Sequence, residues 1–389
     1  MLKNCLLFLF IHLSFFSCHS KNTANEPSLV HRATLEKLDS IQINYLGTPV
    51  VHDIDPLSKR VLFMENNAYS RNEEIFVADF DGNILASYIK EGDTKDTYGQ
   101  IMAPLVLDGE GSFMAYAFNG FMRYDFEGNL ISEVKIINFE GPGSTRIIGM
   151  GSGLQKSGGQ YIYRGIGRNF DYETKDFFDD YYAMSLLDPL TGNRESIIPL
   201  PESGIFRQGK FFFSEAWLPA YYAEDDGLYI VFGLEPVIYV YENQHPFSLL
   251  SSIPMELPKY HYFKGASEYN NQDVRFFGHR RSSGRIHNIK KIKDYFVIAY
   301  FPGFDASDRE ESFSSNRSPD FWERMREKYP LRIAVLDSQG KVINDFVPEG
   351  LVATSMLGRN GELWMMGNAN GEVELDYFQI FKVGLKVGE

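Results

Sequence analysis

Apolar and polar residues alternate along this chain with a period of two, in short runs separated by Asp, Asn and Gly. The clearest instances are Ile75–Leu85, Phe121–Ile131 and Ile333–Ile343, each a strand, an Asp-x-x-Gly turn and a second strand. Looser copies run from Tyr182 to Ile197, around Gly192, and from Ile238 to Leu250, around Glu242-Asn243. Gly and Asn accept the positive φ that tight turns demand, so the turn chemistry and the alternation agree. Hairpins recurring at blade-like spacing predict a radial array of small antiparallel sheets, an all-β propeller.

The alternating runs group into six blades of four strands. The predicted innermost strands are Pro49–Ile54, Ile101–Leu107, Thr145–Met150, Ser214–Tyr222, Arg285–Ile292 and Leu351–Leu357. The sixth blade runs out of chain after three strands. Ser40–Gly47 is expected to supply its outer strand, closing the ring and hiding an exposed edge. One short helical insertion is expected in blade five, at Ser318–Lys328, with Ser318 as its cap, Pro319 in its first turn and Phe321, Trp322 and Met325 on one apolar side.

Successive connections of an antiparallel meander alternate between the two ends of its strands. The Asp/Gly turns therefore share one plain face. The interruptions Gly165–Asp180 and Pro302–Pro330, and the links Pro201–Phe213 and Met255–Asp273, share the other. Long loops on a rigid scaffold are where binding residues gather, so the loop-rich face is the expected site. Asp79-Phe-Asp81-Gly82-Asn83 has the start of a calcium loop, yet no bidentate acid follows at the required spacing, and it reads as a turn.

The N-terminus changes the picture of where the protein works. Lys3 precedes an apolar run from Cys5 to Phe16, then Ser17-Cys18. This is the arrangement of a secretory signal, too short to span a bilayer comfortably. It resembles a bacterial lipoprotein signal, which implies lipidation of Cys18 and a membrane partner through that lipid. Cys5 and Cys18 are the two cysteines, so the mature chain has no internal disulfide. His19 after the cysteine implies, by the same resemblance, outer-membrane sorting, with periplasmic and surface display both open. The expected organisation is 1–18 signal, 19–39 tether and 40–389 a single propeller.

Net charge is −14, which disfavours nucleic acid as a partner. Against that background, Arg275 to Lys293 holds four Arg, three Lys and no acid. Arg275, Arg280, Arg281, Arg285 and His287 are the candidate anion- or ligand-binding residues, with Tyr260, Tyr262, Phe263, Phe276 and Phe277 near in sequence. Structural pairing with carboxylates of neighbouring blades is the competing reading. Two histidines in this region, His279 and His287, with no neighbouring acid, make a poor zinc site, so no metal or cofactor is expected.

No Gly-x-Ser-x-Gly elbow, His-Glu-x-x-His, phosphate loop or dinucleotide fingerprint occurs. With its lipoprotein-like start and hairpins such as Val77-Ala-Asp-Phe-Asp-Gly-Asn83, the chain resembles the TolB-like six-bladed propeller lipoproteins of Bacteroidota, and among them the domain of unknown function 4221 (DUF4221) family. That resemblance covers about residues 40–387, implies a propeller fold and transfers no catalytic residue. The expected function is a cell-envelope binding or scaffold propeller for a protein, peptide or glycan. The alternative is a channel hydrolase or lyase built around Arg285 and His287.

Overall fold

The computed structural model describes residues 33–388, apart from 66–73, 91, 93, 110, 138–148, 166–173, 270–273, 315–317 and 369–375. Six four-stranded antiparallel sheets succeed one another along the chain. Their innermost strands are Pro49–Asp55, Val106–Leu107, Gln155–Ser157, Pro219–Glu224, Arg285–Ile292 and Leu351–Arg359. Inner strands of neighbouring blades meet around a central channel. Each blade buries both faces against its neighbours, as Ile54, Val61, Trp364 and Ile380 do between blades one and six. Outer strands such as Leu249–Pro254 face solvent.

The ring closes as the pattern predicts, with a longer strand than expected. Ala33–Asn44 is the outer strand of blade six and pairs with Tyr377–Val387, from Ala33 opposite Val387 to Asn44 opposite Tyr377. Residues 33–39, assigned to the tether from their polarity, are therefore strand. They form the exposed outer edge of a blade, where polar side chains carry no penalty.

Three inner strands also differ from expectation. Those of blades two and four begin at Val106 and Pro219, later than Ile101 and Ser214. In blade three the innermost described strand is Gln155–Ser157, and of the predicted strand Thr145–Met150 residues 145–148 lie outside the described residues. The expected single helix is one of three among the described residues. Helix α1 (Val274–Ser282) lies in the link to blade five, while α2 (Ala306–Phe313) and α3 (Phe321–Lys328) fill the blade-five insertion. Asp320 rather than Ser318 occupies the N-cap position of α3.

The recurrent Asp and Gly do separate jobs. Asp79, Asp125 and Asp337 each accept a backbone N–H four residues on, at 2.8, 2.7 and 2.9 Å, which pins the turn. At Asp188 the Leu190 N–H and the Thr191 hydroxyl hold the carboxyl below its ordinary value. The glycines meet the preceding blade: a Cβ on Gly82, Gly192 or Gly340 would stand 2.2, 2.2 or 2.4 Å from the carbonyl oxygen of Gln42, Lys135 or Pro254. The sequence repeat thus marks where each blade docks on the outer strand before it.

Candidate functional site

The channel is divided by a glycine-rich segment that the sequence marks as turns and the structure shows as turn and bend. Gly149–Leu154 crosses the ring and touches five other blades. Met150 is buried with Val51 of blade one and Leu357 of blade six. The Gly151 carbonyl accepts from Lys290 Nζ of blade five at 3.2 Å, and the Gly153 carbonyl from the Tyr221 hydroxyl of blade four at 2.6 Å. Gly153 also lies against Pro104 of blade two. Gly151 has φ +80°, and a Cβ there would be 1.7 Å from the Met356 oxygen, so no other residue fits.

On the plain side of this plug opens a funnel of about 600 Å³. Asp53, Asp55, Asp108, Glu224, Asp225 and Asp226 line it, against Lys156, Lys290 and Arg359. Much of this charge is engaged between blades. Asp53 meets Arg359 at 2.8 Å and accepts from the Leu107 N–H at 2.7 Å. Burial pushes the Asp53 carboxyl up, and Arg359 with the backbone donors pulls it back. Lys156 donates to the Asp108 carbonyl, Gln155 to that of Tyr221, Lys291 to the Asp226 carboxylate, and Asn288 to the carbonyls of Thr354 and Met356. All six blade interfaces are laced in this way near the axis. Lys290 is 1% exposed, and desolvation lowers its ammonium to about 7 even though three oxygens accept from it.

On the loop-rich side the chemistry reverses sign. Arg285 opens the inner strand of blade five, and its Nη2 is enclosed with no hydrogen-bond partner among the described residues. Its guanidinium lies 5.6 Å from the Phe213 ring. Glu215 takes an ion pair from Arg280 at 2.8 Å and also attracts Arg285 and Arg164. Three arginines thus lie within the field of one carboxylate, and among the described residues Arg280 alone forms an ion pair with it. Glu215 holds φ +74°, an unfavourable backbone for a residue with a Cβ, of the kind that collects at ligand sites. Desolvation lowers the pKa of both Arg285 and Arg164, a cost that an arriving anion offsets.

The five sequence candidates divide. Arg280, Arg285 and His287 come together. His287 is the extra residue of a bulge between Ile286 and Asn288, and its exposure on an innermost strand is to the channel. It is nonetheless ringed by protein, and desolvation followed by Arg285 pushes its imidazole down to about 4. Arg281 turns away to stand 5.4 Å from the Trp322 ring. Arg275 is on α1, and its side chain lies outside the described residues, as does Cys18. Arg280 and Arg281 lie in the last turn of α1, held where His279 stacks on Phe263 with 4.2 Å between centroids. Among the described residues no group of His, Cys, Asp and Glu is arranged to hold a metal ion.

Sequence reasoning missed Arg164, Glu215 and the plug. Arg164 ends the strand just before the Gly165–Asp180 interruption, a position that marks it. Glu215 carries no such signal, since its backbone conformation and its partners are tertiary.

Six closed four-stranded blades around a stoppered channel define a six-bladed β-propeller. A DUF4221 family member from Bacteroides vulgatus has this fold: it is 11% identical, with a TM-score of 0.64 over 92% of this chain and 100% of that one. A Bacteroides fragilis protein described as exported is 9% identical, with a TM-score of 0.49 over 92% and 96% of the two chains. The resemblance read from the hairpins therefore holds at the level of fold. No protein-family model matches the sequence, and no curated protein matches it.

Proposed function

We propose that this chain is an exported cell-envelope propeller, anchored through Cys18, which binds a carboxylate-bearing glycan or peptide at the loop-rich end of its channel. The observation that carries the reading is the buried Arg285 donor lacking a partner among the described residues, beside a Glu215 carboxylate already ion-paired with Arg280. A planar guanidinium with a free donor suits a carboxylate oxygen. The aromatic rings beside it, Phe213 and Tyr260, suit the apolar body of a sugar or side chain.

Calorimetric titration with a uronate-bearing oligosaccharide and with a peptide ending in a free carboxylate tests the binding. Arg285→Met is expected to weaken it at least roughly tenfold, the scale of a lost charge-assisted bond. Glu215→Gln, which removes the competing carboxylate, is expected to strengthen it. Binding unchanged by Arg285→Met overturns the assignment. Export and anchoring are tested separately: Cys18→Ala is expected to abolish labelling by radioactive palmitate and to release the protein from the membrane fraction.

A further inference from the structure

A second surface, apart from the channel, lies on the blade-five insertion. Helix α3 buries Phe321 and Met325 against Phe304. Its apolar side leaves a groove of about 600 Å³, lined by Phe301, Phe304, Trp322 and Tyr329 with Arg281 and Arg326 beside them. The size is within the range of natural ligand pockets and accommodates a few large side chains. Polar contacts at the C-terminal end of α3 fix the helix beside the groove. There Lys328 meets Asp305 at 3.1 Å and Asp308 at 2.5 Å, and the Tyr329 hydroxyl donates to Asp308 at 2.6 Å.

The charges on this helix are unequally used. Arg324 is paired with Glu311 and Asp320, and Lys328 with Asp305 and Asp308. Arg326 and Arg281 make no ion pair with any described residue, although the chain carries a net charge of −14. Glu323 and Glu327 flank Arg326 in sequence, yet the fold leaves both guanidinium groups beside an aromatic floor. Trp322, half-buried, has Arg281 at 5.4 Å from its ring and remains part of the groove wall.

We propose that this groove docks a short acidic, apolar segment of a partner protein, with large hydrophobic side chains in the aromatic trough and carboxylates on Arg281 and Arg326. Apolar burial supplies affinity, and the two rim charges select the sign of the partner and its approach. The site is independent of the carboxylate site in the channel.

Trp322 provides the readout, because Trp217 and Trp364 are buried at 6% and 3% exposure. The purified protein is titrated with a peptide holding a central Phe-Leu pair flanked by Asp and Glu, and with its Lys-flanked counterpart. The acidic peptide is expected to shift the emission of Trp322 saturably and the basic one to leave it unchanged. Arg281→Glu combined with Arg326→Glu is expected to weaken the acidic peptide at least roughly tenfold and to admit the basic one. Arg326→Gln alone gives a smaller loss in the same direction and serves if the double variant does not fold. Trp322→Phe is expected to abolish the emission shift while calorimetry still detects binding. Equal binding of both peptides, or affinity untouched by charge reversal in a variant with a normal melting curve, overturns the proposal. So does a response to phosphatidylglycerol vesicles with none to peptide, which assigns the groove to a lipid surface. Self-association abolished by charge reversal assigns it to a second copy and overturns it equally.

Discussion

At Gly151 a Cβ would stand 1.7 Å from a backbone oxygen, in a residue whose φ is already left-handed. Gly151→Ala is therefore expected to cost roughly 2–4 kcal/mol, read from the urea midpoint, because backbone strain and a steric clash add. An unchanged midpoint would mean that the plug can withdraw freely. His287 sets a pH dependence on the same strand. Its imidazole titrates near 4 when folded, against about 6.5 when unfolded. Between those values the unfolded chain binds more protons, so His287 contributes stability above about pH 6.5 that is lost as pH falls towards 4. His287→Gln is expected to flatten that part of the stability curve, and an identical slope in both proteins refutes the assignment. Neither residue declares its role in the sequence. Gly149 to Gly153 reads as a loop-forming run, and the reason for each glycine lies in blades distant along the chain.

Among elements, the closing strand was legible in kind and blurred in extent. A sixth blade short of one strand requires an outside donor, and the alternation at Ser40–Asn44 supplied it. Ala33 and Leu35 turn inward, but Glu36 to Ser40 all face solvent and show no period for a reader to use. Ile41 is 3% exposed, pairs with Ile380 and packs into the core of blades one and six. Ile41→Pro removes a buried side chain from that core and is expected to cost about 2–5 kcal/mol. It also frees the edge of Tyr377–Val387, so light scattering is expected to show oligomers that the parent protein lacks. A variant that stays monomeric with an unshifted melting temperature would show that the ring does not depend on this strand. The helices were harder to read. Helix α1 is rich in Arg and aromatic residues without an apolar stripe, and its place is fixed by contacts such as Gly278 against the Phe313 ring.

For the whole molecule, polar contacts near the axis join every blade to the next, so the ring is expected to unfold in one transition. Arg359 carries the junction between blades six and one through the buried Asp53 carboxylate. Arg359→Ala leaves that carboxylate uncompensated and is expected to cost about 3–5 kcal/mol, with Asp53→Asn in the same chain recovering most of the loss. Failure of that rescue would remove the ion pair from the account. The architecture and its loop-rich face followed from turn spacing alone, whereas the division of the channel did not, because it is built by a segment outside the repeat. One feature of the closure also sets the posture of the molecule. Ala33 and Val387 are paired neighbours, on the side of the short turns. The first and last described strands therefore meet on the same face of the ring as the acidic funnel. The proposed anchor at Cys18 would turn the propeller's funnel towards the bilayer, since the chain enters the ring on that face. Its arginine chamber and its aromatic groove would point outward together, towards whatever approaches from the aqueous side.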